Sequence, residues 1–174
     1  MKLLTPESLS AEQWTLLRDT PYLVVLAVSA AGGSRLDALL ERAAGAKAIA
    51  NGINNEHPLV RRIGVESEME KVIADLYARF AGPTGPKYTP AEIKQLAVES
   101  SRQAFEIVGR LGGELDLYAY RTFVVGVARA VAEAAREGDV MGLGGMLVSD
   151  AERDVIKAVA SALSPMSSET AAPG

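Results

Sequence analysis

Helix-start signals recur along this chain in a form that leaves little room for any other element. Ser10-Ala-Glu-Gln13, Ser34-Arg-Leu-Asp37, Thr89-Pro-Ala-Glu92 and Ser149-Asp-Ala-Glu152 each set a hydroxyl side chain three residues ahead of a carboxylate or carboxamide. The hydroxyl accepts the amide N–H of the third helical residue. That residue's side chain answers at the cap's own N–H, so two donors that a helix start leaves orphaned are satisfied together. Apolar residues then recur at intervals of three and four, and Gly32-Gly33, Asn51-Gly52 and Gly112-Gly113 mark stops. No segment alternates with period two for long enough to require a strand, and the β-branched pairs Val24-Val25 and Val124-Val125 lie inside helical patterns. The predicted fold is all-α, a single-domain bundle of about seven helices joined by short loops.

A short first helix is expected behind Ser10, with Trp14 and Leu17 on one face. Thr20-Pro21 reads as an N-cap with proline at the first helical position, starting a second helix from Tyr22 to Ala31. The third, behind Ser34, turns Leu36, Leu39, Leu40 and Ala43 to the core. His57-Pro58 heads a helix to about Phe80, with a break near Gly64 and a stripe of Val65, Met69, Val72, Ile73, Leu76 and Phe80. Ala81-Gly-Pro-Thr-Gly-Pro86 is the strongest breaker. Helices from Thr89 to about Arg110, Glu114 to Ala135 and Ser149 to Leu163 follow, with Phe123 to Ala134 central in the bundle. Residues 1–164 form the domain, and 165–174 read as a disordered tail.

Composition removes whole classes of chemistry. With no cysteine, disulfides, thiolate metal sites and cysteine nucleophiles are all excluded. A net charge of -4 argues against a nucleic-acid partner, which calls for a basic face, and Arg61-Arg62 reads as a solvated helix edge. The longest apolar run, Tyr22 to Ala31, falls short of the roughly 20 residues of a membrane span. No secretory leader is read at Met1-Lys2, so a cytoplasmic location is expected.

Tyr22-Leu-Val-Val-Leu-Ala-Val-Ser-Ala-Ala-Gly-Gly is echoed by Phe123-Val-Val-Gly-Val-Ala-Arg-Ala-Val-Ala-Glu-Ala, and each leads to a Ser-capped helix. A duplicated helical hairpin would explain the echo; chance likeness between two alanine-rich hairpins is the rival explanation. In this pattern the chain resembles the TerB family of helical proteins associated with tellurite resistance and stress operons. Its turn, Ala-x-Ala-Asp-Gly-x-Val, corresponds to Ala30-Ala31-Gly32-Gly33-Ser34 and again to Ala135-Arg136-Glu137-Gly138-Asp139-Val140. Gly32 and Glu137 stand where the aspartate is expected. The second turn detours through Met141 to Leu147 before Val148-Ser149-Asp150-Ala151-Glu152 resumes the pattern. The resemblance spans mainly residues 22–50 and 120–163. It implies a helical, non-enzymatic interaction or assembly protein acting in a tellurite or chemical stress response.

Candidate chemistry is sparse. Gly142-Leu-Gly-Gly145 lacks the lysine of a P-loop, and Asp150, Glu152 and Asp154 would repel an anion there. Counting a calcium loop from Asp139 puts Gly144 and Asp150 in register but sets Met141 and Leu143 where ligands belong. A looser divalent-cation site of Glu137, Asp139 and Glu152 is the metal alternative; otherwise no cofactor is expected. Met141, Leu143, Met146 and Leu147 would either tuck onto the bundle or meet a protein partner or second copy. His57, the single histidine, reads as part of a turn before a helix, its imidazole exposed or capping. Tyr118 and Tyr120 are expected at a helix–helix junction. The alternative to an interaction protein is one that binds a metal or small molecule.

Overall fold

The computed structural model describes residues 3–32, 35–82, 85–137 and 148–165. Among them are seven α-helices: α1 Ala11–Ala31, α2 Arg35–Ala50, α3 Pro58–Ile63, α4 Glu66–Phe80, α5 Pro90–Leu111, α6 Glu114–Glu137 and α7 Asp150–Ala162. Two 3-10 turns, Pro6–Ser8 and Asn51–Asn54, complete the helical elements. A two-residue antiparallel pairing of Ala81–Gly82 with Gly85–Pro86 closes the turn after α4 and adds no sheet layer. The fold is an all-α, single-domain bundle. No described helix is long and apolar enough to cross a membrane.

The expected caps at Ser10, Thr89 and Ser149 form, each with its reciprocal partner at Gln13, Glu92 and Glu152. Ser34 lies outside the described residues. Elsewhere the count of helices is reached differently from the expectation. The break near Gly64 is real and separates α3 from α4. The break expected at Thr20-Pro21 is absent, and α1 runs straight through the proline.

A proline inside a helix removes one N–H and leaves the carbonyl four residues earlier without a donor. Here that carbonyl belongs to Leu17, and the Tyr120 hydroxyl donates to it at 2.9 Å. Thr20, next to the proline, turns its own hydroxyl back to the Leu16 carbonyl at 2.7 Å. Local chemistry alone favours a helix start at Pro21. A donor from α6, 103 residues away, overrides it.

The consequence is a central helix. From Leu17 to Val25 every α1 residue is buried, so no face of this segment meets solvent. α1 packs against α5, α2, α6 and α7. α6 supplies Val124, Val127, Ala128, Val131 and Ala132 to the same core, where its apolar half was expected. α2 lies on α6, and α7 packs on α5 and α1.

α2 corrects another expectation. Leu39 and Leu40 are 65% and 42% exposed, and the inward stripe is instead Glu41, Gly45 and Ile49. The helices approach too closely at this crossing for leucine. A Cβ on Gly45 would stand 2.5 Å from Val25 and 2.9 Å from Val131, so α2 is turned to present its smallest residue.

Tyr120→Phe should cost about 1–3 kcal/mol in urea unfolding, the cost of leaving a buried carbonyl unsatisfied. In a Pro21→Ala background the same change should cost clearly less, because the restored amide bonds Leu17. A double-mutant cycle with no coupling would show that the hydroxyl does not serve the proline.

Candidate functional site

α2 ends in an Asn-Gly turn, and the segment from Asn51 to His57 curls against the first half of α6. The turn is held from within. The Asn55 side chain accepts the His57 N–H at 2.9 Å, and Arg61 binds the carbonyls of Asn55 and Glu56 at 3.0 and 2.8 Å. Between this turn and α6 runs a groove of about 570 Å³. Ala48, Phe123 and Val127 give it apolar walls, and Leu115 and Tyr118 stand along it. Asn51, Asn55, Glu56, His57 and Thr122 supply polar groups.

His57 is only 7% exposed, and its imidazole is neither solvated nor capping, contrary to the sequence expectation. Its Nε2 lies 2.8 Å from Oδ1 of Asp116, a fully buried carboxylate. Asp116 is the third residue of α6 and takes the Gly113 N–H on Oδ2 at 2.8 Å, as an N-terminal cap. The Leu4 N–H, donating to Oδ1 at 2.7 Å, ties the start of the chain to the same group. Burial alone would raise the Asp116 carboxyl. The Leu4 and Gly113 amides and the His57 imidazole outweigh it and hold the group below the usual aspartate range.

An ionised carboxylate can only accept, so the shared proton sits on Nε2 of His57. Nδ1 is buried and has no hydrogen-bond partner. The groove is therefore bordered by one polar side chain, more than nine-tenths buried, whose bonding capacity the protein leaves unused.

A second polar cluster lies at the centre of α1. Arg18 donates to Asp19 at 2.8 Å and to Glu68 of α4 at 3.3 Å. Glu68 also takes Arg62 at 3.1 Å and Lys71 at 3.4 Å. Burial opposes both charges of the Arg18–Glu68 pair, yet their hydrogen bonds prevail: Arg18 is pushed up and Glu68 down. Asp19 fares differently, since burial outweighs Arg18 and raises its carboxyl. These charges answer one another, which makes the cluster a tie between α1 and α4.

Of the residues expected to form a site, Glu152 is buried and spends Oε2 on the Ser149 N–H at 2.6 Å, while its Oε1 has no partner. Glu137 ends α6, but its side chain, like Asp139, Met141, Leu143, Met146 and Leu147, lies outside the described residues. Among the described residues no group of His, Asp and Glu side chains is arranged to hold a metal ion. Tyr120 holds a helix junction as expected, whereas Tyr118 is 71% exposed beside the groove. No protein family, curated protein or solved structure matches this chain.

Because Asp116 is held below its unfolded value, its stabilisation is complete above about pH 4 and is lost as pH falls through the native value. Asp116→Ala should cost about 3 kcal/mol at neutral pH, the scale for removing one partner of a buried pair. Chemical unfolding from pH 7 to 2 should show the gap between wild type and variant closing below about pH 4. A gap that stays constant would deny the carboxylate this role.

Proposed function

We propose that this protein is a non-enzymatic binding domain whose groove along α6 takes a small molecule with an apolar body. One observation carries the reading: an apolar-walled groove and an unpartnered, deeply buried imidazole nitrogen occur together. Sites for small molecules have this composition, an apolar lining with few fixed polar groups. Gly126 supports it. This glycine lies inside α6, where it costs about 1 kcal/mol against alanine, yet a Cβ there would meet nothing within 4 Å. Packing does not demand it, and it borders the groove, which it keeps open. The TerB resemblance supports placing such binding in a tellurite or chemical stress response, in the cytoplasm.

Interaction with a protein partner or a second copy is the other reading, and Leu115 and Tyr118 favour it. They are 59% and 71% exposed and adjacent on one face of α6. Apolar side chains so displayed are the usual anchors of an interface. Light scattering of wild type beside a Leu115→Ser/Tyr118→Ser variant should then show an assembly that the variant loses.

For the binding reading, fragment-sized apolar molecules screened by thermal shift should include ligands that raise the melting temperature. Gly126→Ala should itself stabilise by about 0.5–1 kcal/mol. Gly126→Leu should keep the fold and abolish the shifts. Shifts that survive Gly126→Leu, or none at all, would overturn the reading.

A further inference from the structure

We propose that a second site, separate from the groove along α6, binds a free α-amino acid with an aliphatic side chain. It is a cleft of about 380 Å³ where α1, α5 and the end of α4 meet. Thr15, Asp19 and Leu23 follow at intervals of four along α1, so a single face of that helix forms its floor. Ser100 of α5 and Arg79 of α4 complete it, and Glu12 lies toward the start of the same α1 face. No residue that lines this cleft also lines the groove.

Asp19 stands at the edge of the charge cluster around Arg18. Its Oδ1 takes the Arg18 Nε–H at 2.8 Å. Its Oδ2 receives no hydrogen bond from a described residue, yet it is not among the polar atoms sealed from solvent, and the side chain keeps 7% exposure. A carboxylate otherwise buried thus reaches the cleft with one oxygen to spare. Burial raises this carboxyl, Arg18 pulls it back, and Arg79 does so through space, against Asp75. Among the described residues Arg79 forms no ion pair with Asp19. Two unlike charges therefore share one cleft without closing on each other.

An α-amino acid carries an ammonium and a carboxylate on one carbon and can meet both. Its ammonium donates to Oδ2 of Asp19, with Glu12 adding attraction, and its carboxylate takes Arg79. Leu16 and Leu23 offer apolar surface to the side chain. An amine alone leaves Arg79 unused, and a carboxylate alone meets like charge at Asp19 and Glu12. A hydrogen bond to a charged group is worth about tenfold in affinity or more.

Calorimetric titration of the full chain with leucine, 3-methylbutylamine and 4-methylpentanoate tests this, because the three share one branched body. Leucine should bind at least about tenfold more tightly than either fragment. Arg79→Gln, a change at an exposed position, should lower leucine to the level of the amine and leave the amine unchanged. Asp19→Asn keeps an acceptor for Arg18 and should abolish binding of both; should it fail to fold, Arg79→Gln decides alone. No leucine binding, or binding no tighter than that of the fragments, would overturn the proposal. Leucine binding that survives Arg79→Gln unchanged, or that is lost in Gly126→Leu, lies outside the cleft and overturns it as well. The groove stands or falls on its own fragments, whichever way these titrations go.

Discussion

The carbonyl that Pro21 strips of its helical partner lies where a polar orphan is hardest to tolerate, and the hydroxyl of Tyr120 is what makes it tolerable. With that bond in place α1 is one helix of 21 residues, long enough to be surrounded by α2, α5, α6 and α7. Without it the chain would have reason to break at Thr20. The core would then be assembled from two shorter pieces with two further sets of unpaired helix ends. Tyr120 itself is fully buried, and burial pushes its hydroxyl's titration upward, so it stays a donor across the accessible pH range. One side chain thus lets a residue that ordinarily starts helices sit in the middle of the most buried one.

That interaction also marks where the sequence is legible and where it is not. Caps at Ser10, Thr89 and Ser149 are local devices: the atoms involved lie within three residues, so the pattern names the structure. The helical class and the apolar face that α6 gives to the core follow in the same way from periodicity. Pro21 misleads because its local preference is outweighed by a donor from a distant helix. Leu39 and Leu40 mislead because hydrophobicity alone cannot show that three helices cross too closely at Gly45 to admit a larger stripe.

The site was less legible still. His57 and Asp116 are 59 residues apart, and neither stands in a spacing that announces the other. Asp116 does sit where the third helical residue of a cap belongs, behind Gly113, and that signal was available. Its second duty to the imidazole was not, because it depends on how α3 meets α6. The two buried charge clusters differ accordingly. Around Arg18 every charge finds an opposite, so the cluster closes on itself. Around Asp116 the charge is answered by donors, one of which has a second nitrogen left to offer.

Asp116 joins Leu4, 112 residues before it, to the turn that carries His57 and to the start of α6. Closing loops of that length costs entropy before any contact rewards it, so pairings of this kind tend to come late in folding. A partly folded chain with α5, α6 and α7 already docked would lack the central helix α1 and have only one wall of the groove. The groove is thus a property of the completed chain rather than of any single hairpin. Whatever occupies it draws the population away from partly opened forms by mass action and acts as a late check that the turn at His57 has found α6.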